Sequence, residues 1–143
     1  MPANFVVDTS ILTKTVFTEP GADVVRAWLT PRIHLVAPEF IVTEMASVAC
    51  RKVKTGVVDL DDAVRLAEQA LLFVQETDEL ETVREEAIRV AVTCGASFYD
   101  GLFVASAIWR QVPLVTADEK LAARVRGADL GIECLTVDDL ARR

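Results

Sequence analysis

The sequence predicts an α/β fold, a three-layer α/β/α sandwich built on a central, mainly parallel sheet. Three observations predict it. Short apolar or β-branched runs recur along the 143 residues. Stretches with helical spacing separate them. Two of the runs lack the alternation of a strand with one wet face, so they belong at the centre of a sheet covered on both sides.

The first of these central runs is NFVVD, residues 4–8. Two short helices follow at 9–17 and 21–29, broken around Glu19-Pro20-Gly21. IHLVA, residues 33–37, reads as the second strand. Pro38 suits a first helical turn, and the helix it would open runs to about Thr55, where Gly56 stops it. Asp59, Asp61 and Asp62 start a helix reaching about Phe73, with their charge at the end the helix dipole favours. Residues 78–94 and 99–110 form two more helices, the first ended by Gly95. PLVTA at 113–117 is the other central strand, followed by a helix at 118–126 before Gly127 and a strand, IECLT, at 132–136. Neither linker, repeat nor low-complexity segment interrupts this order, so one continuous domain is expected over residues 1–143.

Composition excludes several classes of function. With 22 acidic against 15 basic residues the net charge is −7. A protein that coats nucleic acid by broad electrostatic attraction is normally basic. An enzyme that meets phosphate through bound cations and a few local lysines or arginines remains open. Cys50, Cys94, Cys134 and the lone His34 make no CxxC pair and no zinc-ligand spacing, which fits a reducing, cytoplasmic compartment. Absent too are an 18-residue apolar stretch and a basic-then-apolar leader, so neither a membrane span nor a signal peptide is expected. There is no GxxxxGK[ST] and no GxGxxG, and His34 stands in a predicted strand away from any Cys or Ser motif. The single aspartate of Asp8-Thr9-Ser10 falls short of the DxD of dehalogenase-like phosphatases. A receiver-type phosphoacceptor would need a solitary aspartate on a middle strand and would leave Glu44 without a role.

Four carboxylates stand out by position. Asp8 ends the first strand and Asp118 follows the other central one, both where ligands gather in open parallel sheets. Glu44 shares a helical face with Phe40 and Val48, beside Ile41, and is thus embedded in an apolar stripe. Glu39 lies in the first turn and reads as a surface acid. Asp100 opens a helix that is apolar on nearly every side. Asp8, Asp100 and Asp118 each precede a helix, where capping suffices to explain one of them alone, and Glu44 alone suits a buried arginine partner. As a set they imply more. Like charges about 4–6 Å apart repel by a few kcal/mol at an effective dielectric near about 20, and their pKa values rise. A divalent cation relieves that repulsion, and hard oxygen donors suit Mg²⁺ or Mn²⁺.

The segments VVDTSIL, PEFIVTEMASV, SFYDGLFVASA and LVTADEKL, in this order, resemble the PIN-domain nucleases, particularly the VapC toxins of bacterial and archaeal toxin–antitoxin pairs. The resemblance spans residues 4–121. It implies a parallel sheet with helices on both sides and a metal-dependent endoribonuclease leaving 5′-phosphate and 3′-hydroxyl ends. Asp8, Glu44, Asp100 and Asp118 would hold one or two Mg²⁺ or Mn²⁺ ions. Ser10 and Thr116 would orient those carboxylates or a bound water, local turn bonding being their other reading. Glu44 is the candidate to orient the attacking water or accept its proton. The implied partners are RNA, a cognate antitoxin and a second copy of the chain. The stripe of Val64, Leu66, Ala70, Leu71 and Phe73 is where the family places a partner groove, a buried core helix being the default. A catalytically silent scaffold that binds RNA or a protein is the alternative.

Several other residues invite a role. Lys14, Lys120, Arg51, Lys52 and Lys54 are candidates for phosphate contacts, against solvated or dipole-compensating positions. Tyr99, and less so Phe98, suit stacking on a base. Trp28 and Trp109 read as core or interface residues.

Overall fold

The computed structural model describes residues 1–143. Five strands form one all-parallel sheet in the order β3-β2-β1-β4-β5. They are β1 (Ala3–Val7), β2 (Ile33–Pro38), β3 (Val74–Asp78), β4 (Leu114–Val115) and β5 (Cys134–Leu135). Helices connect them: α1 (Thr9–Leu12) with a 3-10 turn at Thr13–Thr15, α2 (Ala22–Trp28), α3 (Phe40–Lys54), α4 (Leu60–Leu71), α5 (Leu80–Cys94), α6 (Phe98–Arg110), α7 (Glu119–Ala128) and α8 (Val137–Ala141). Val6 and Val7 point to opposite faces of the sheet and both are fully buried, so helices cover both faces. This is the predicted α/β sandwich, with β1 and β4 central.

The chain builds outward from β1 through β2 to β3, then returns to the other side of β1 for β4 and β5. That reversal opens a crevice at the carboxyl ends of β1 and β4. Asp8 is the residue after β1 and Thr116 the residue after β4, so both stand at its mouth.

Several elements depart from the sequence reading. Pro38 closes β2 rather than opening a helix, pairing with Asp78 of β3. Its fixed φ suits a strand end as well as a helix start. Helix α3 begins two residues later, and Glu39 accepts a hydrogen bond from the Leu80 amide at 2.9 Å. The strand β3 was not foreseen, because Val74-Gln75-Glu76-Thr77-Asp78 carries one aliphatic residue. It is an edge strand with a register shift opposite Leu35 and Val36. There the Gln75 side-chain carbonyl accepts from the Leu35 amide at 2.7 Å and replaces a ladder bond. Asp100 is not a cap: Ser97 caps α6 and accepts from the Asp100 amide. Gly127 lies inside α7, and the terminal helix α8 was not predicted. Trp28 packs edge-on against Phe5, whereas Trp109 is 63 % exposed and outside the core.

Buried Asp78 ties β3 to α6. It accepts from the Ser106 hydroxyl and from Arg110, through Nε at 2.9 Å and the terminal nitrogen at 2.8 Å, while Arg110 also reaches Glu76 at 2.8 Å. Glycine 101 fixes the start of the same helix. Helices α5 and α6 are bent by 115° at the break between them. A Cβ on Gly101 would lie 2.6 Å from the Ala87 carbonyl oxygen. The two helices therefore touch backbone to backbone, one residue from Asp100. We expect Gly101→Ala to cost about 1–3 kcal/mol through overpacking, read as a lower urea midpoint, and to displace the first turn of α6.

Candidate active site

Asp8 is held from three directions. One carboxylate oxygen accepts from the Ser10 hydroxyl at 2.5 Å and the Ile11 amide at 3.3 Å; the other accepts from the Thr116 hydroxyl at 2.5 Å. Each hydroxyl is itself engaged by a backbone amide of the segment after β4. Ser10 accepts from the Ala117 amide at 2.9 Å, and Thr116 from the Asp118 amide at 3.0 Å. Asp8 thus caps α1, yet its other bonds join the ends of β1 and β4. Ser10 and Thr116 do more than close their own turns.

The other carboxylates arrive from separate helices. Asp118 caps α7 through one oxygen, which accepts from the Lys120 and Leu121 amides at 3.0 Å. Asp100 comes from the first turn of α6 and is half-buried. Glu44, half-buried on α3 between Ile41 and Val48, accepts from the Thr9 hydroxyl at 2.8 Å. Thr9 escaped the sequence reading because it sits between Asp8 and Ser10 and looked like part of a turn. All four carboxylates line one cavity of about 450 Å³.

Their electrostatics are linked. Burial raises the Asp8 carboxyl to about 6 against three opposing hydrogen bonds, and the charge of Asp100 adds to the rise. Burial also raises Glu44; the Thr9 bond opposes it and Asp100 adds to it. Asp100 is raised by burial and then by Asp118. Asp100 is the charge that Asp8 and Glu44 both feel.

The cavity offers hard oxygen donors without a thiol or imidazole, which fits Mg²⁺ or Mn²⁺ by donor chemistry and charge. No three carboxylate, imidazole or thiol groups close round a single point. Mg²⁺ tolerates that, since it keeps several waters and takes one or two carboxylates. Of the cations noted in the sequence, Lys14, Arg51 and Lys52 line this cavity, while Lys54 and Lys120 do not. Tyr99 and Phe98 also lie outside it; Tyr99 stacks on Phe40 at 5.0 Å and is 56 % exposed.

Asp8 has a consequence for stability. Its folded pKa of about 6 exceeds the ordinary 3.8, so the folded chain holds this proton more tightly than the unfolded chain does. Stability from this group is therefore complete below pH about 4 and is lost as pH rises through about 6, by about 3 kcal/mol in all. In chelator, urea midpoints across that range should show the wild type losing stability relative to Asp8→Asn.

A model of the PIN domain family matches residues 5–127. No curated protein matches the sequence. Among solved structures, the crystal structure of PAE2754 from Pyrobaculum aerophilum is similar, with a TM-score of 0.74 and 24% identity, over 99% of this chain and 88% of that one. VapBC-1 from nontypeable Haemophilus influenzae is similar with a TM-score of 0.64 and 18% identity, over 94% of this chain and 98% of that one. Both likenesses speak to the fold. With the family match covering most of its length, the chain belongs to the PIN-domain family.

Proposed function

We propose that this protein is a Mg²⁺- or Mn²⁺-dependent endoribonuclease acting as the toxin of a VapBC-type pair. The observation that carries the reading is the convergence of Asp8, Glu44, Asp100 and Asp118, from four separate segments, on one cavity at the switch crevice. PIN domains are generally nucleases, and the similarity to VapBC-1 supports an antitoxin partner.

Asp8, Asp100 and Asp118, with Glu44, would hold the ion or ions. A divalent ion held by them would supply the lowered pKa of an attacking water and the neutralisation of charge on the phosphoryl oxygens. Ser10 and Thr116 fix the Asp8 carboxylate, so its oxygens face the cavity without a rotamer search. Glu44 has one oxygen committed to Thr9 and the other available to orient the attacking water. Its raised pKa makes it a better acceptor for that water's proton than an ordinary glutamate.

Partners would dock on helix faces. An apolar groove of about 470 Å³ runs between α3 and α4, lined by Val42, Ala49, Val53, Leu60, Val64 and Leu71. It supports an antitoxin or a second copy of the chain. No single helix is long and apolar enough to cross a membrane. Three free cysteines suit the reducing cytoplasm we propose for it. A silent scaffold that binds RNA or a protein without cutting is the competing reading, favoured by the spacing of the carboxylates, no three of which close round one point.

Two measurements separate them. Purified protein with Mn²⁺ should cut single-stranded RNA, and Asp8→Asn should abolish cleavage while remaining folded. Either ion at about 100 times its dissociation constant should stabilise the fold by roughly 2.7 kcal/mol. Asp100→Asn should erase most of that gain, whereas Glu44→Gln should keep more of it while losing turnover. A melting curve indifferent to both ions, with RNA left intact, supports the scaffold.

A further inference from the structure

The cavity lined by the four carboxylates is lined as well by Lys14, Arg51, Lys52 and a fifth acid, Glu19. Lys14 comes from the 3-10 turn after α1 and Lys52 from the last turns of α3, and both end on Glu19. One oxygen of Glu19 accepts from Lys14 Nζ at 3.0 Å and from the Thr13 hydroxyl at 2.8 Å; the other accepts from Lys52 Nζ at 3.2 Å. Lys52 Nζ also lies 5.0 Å from the centre of the Phe17 ring, a cation–π contact. Burial would raise Glu19, but Thr13 and the two lysines outweigh it and hold its carboxyl below the usual range. Glu19 is thus ionised at neutral pH.

These are not free surface lysines. Their side chains are 12% and 22% exposed, and that of Glu19 is 18% exposed. An ordinary lysine loses rotamer freedom when it grips a ligand; here Glu19 has already imposed the order. Each ammonium gives Glu19 one N–H and keeps others to donate. The trio remains net positive, and Arg51 lines the same cavity. A chain with an excess of acid, whose cavity holds four carboxylates, needs a fixed positive wall to receive a polyanion there.

We infer that Glu19 is a positioning residue that presents Lys14 and Lys52 to the phosphodiester backbone of single-stranded RNA, at phosphates flanking the one to be cut. The identity of the polyanion rests on the nuclease reading; the grip on phosphate does not. A plain clasp joining the 3-10 turn to α3 is the other role open to Glu19, and the two differ in sign. Glu19→Gln removes a negative charge, so as a mere clasp it tightens RNA binding. As a positioning residue it weakens binding although the protein becomes more positive.

The test is anisotropy of a labelled single-stranded RNA in Ca²⁺ over a salt series, with RNA integrity checked on a gel, beside cleavage kinetics in Mn²⁺. Lys14→Met and Lys52→Met should each weaken binding about tenfold and lower the slope of log affinity against log salt by about 0.7. Lys14→Arg, which keeps the charge, should restore the slope. Glu19→Gln should weaken binding, and its kinetic loss should fall in KM rather than in kcat. Tighter binding by Glu19→Gln, with unchanged slopes in the lysine variants, overturns the inference. Should Glu19→Gln fail to fold, Glu19→Asp, which keeps the charge but shortens the reach to both ammonium groups, takes its place: weaker RNA binding upholds the inference and unchanged binding overturns it. Lysine-dependent binding that Glu19→Gln weakens, by a protein that cuts nothing in Mn²⁺, upholds the positioning role and sinks the nuclease reading. Cleavage that the lysine variants perform as the wild type does has the reverse meaning.

Discussion

A carboxylate at the end of a strand covered on both faces must be held against its own desolvation, and that constraint organises this molecule. Asp8 follows Val6 and Val7, both fully buried, and is itself 7 % exposed. It is tolerated because hydroxyls from both sides of the crevice donate to it. Those hydroxyls have no free choice of partner, since Ser10 takes the Ala117 amide and Thr116 the Asp118 amide. The ends of two strands over a hundred residues apart are therefore joined through one acid, with Asp118 set by the same bonds. Neither strand end can shift without breaking the other's hydrogen bonds. The rigidity of the crevice and the placement of its acids have one origin.

The cavity is lined by charge of both signs. Asp100 is felt by Asp8 and Glu44 and itself feels Asp118. Glu19 gathers two ammonium groups that would otherwise repel each other. The charge of Arg51 in turn reaches Glu44 and opposes the rise of its pKa.

How much of this was legible follows from what each position must bury. The runs 4–8 and 113–117 were readable as central strands because burial on both faces demands unbroken aliphatic sequence. The four acids were readable because they interrupt apolar patterns at the carboxyl ends of strands or on helix stripes. β3 was not, since an edge strand held by a glutamine side chain and by Asp78 needs no aliphatic pattern. Pro38 and Asp100 misled for one reason: proline and aspartate mark helix starts in general, and here a strand end and the Ser97 cap claimed those roles. Thr9 and Glu19 act through partners 35 and 33 residues away, which no local pattern can disclose.

The two borders of the sheet carry a last consequence. β5 is two residues long, and β3 carries exposed polar residues, Gln75, Glu76 and Thr77, around its irregular register. Short, polar, kinked margins are poor templates for strand addition. A visiting peptide thus finds little invitation to extend this sheet, and neighbouring copies are discouraged from zipping together along it. Association is left to shape and greasy contact on the helical flanks, where exposed Val64 and Leu60 already stand.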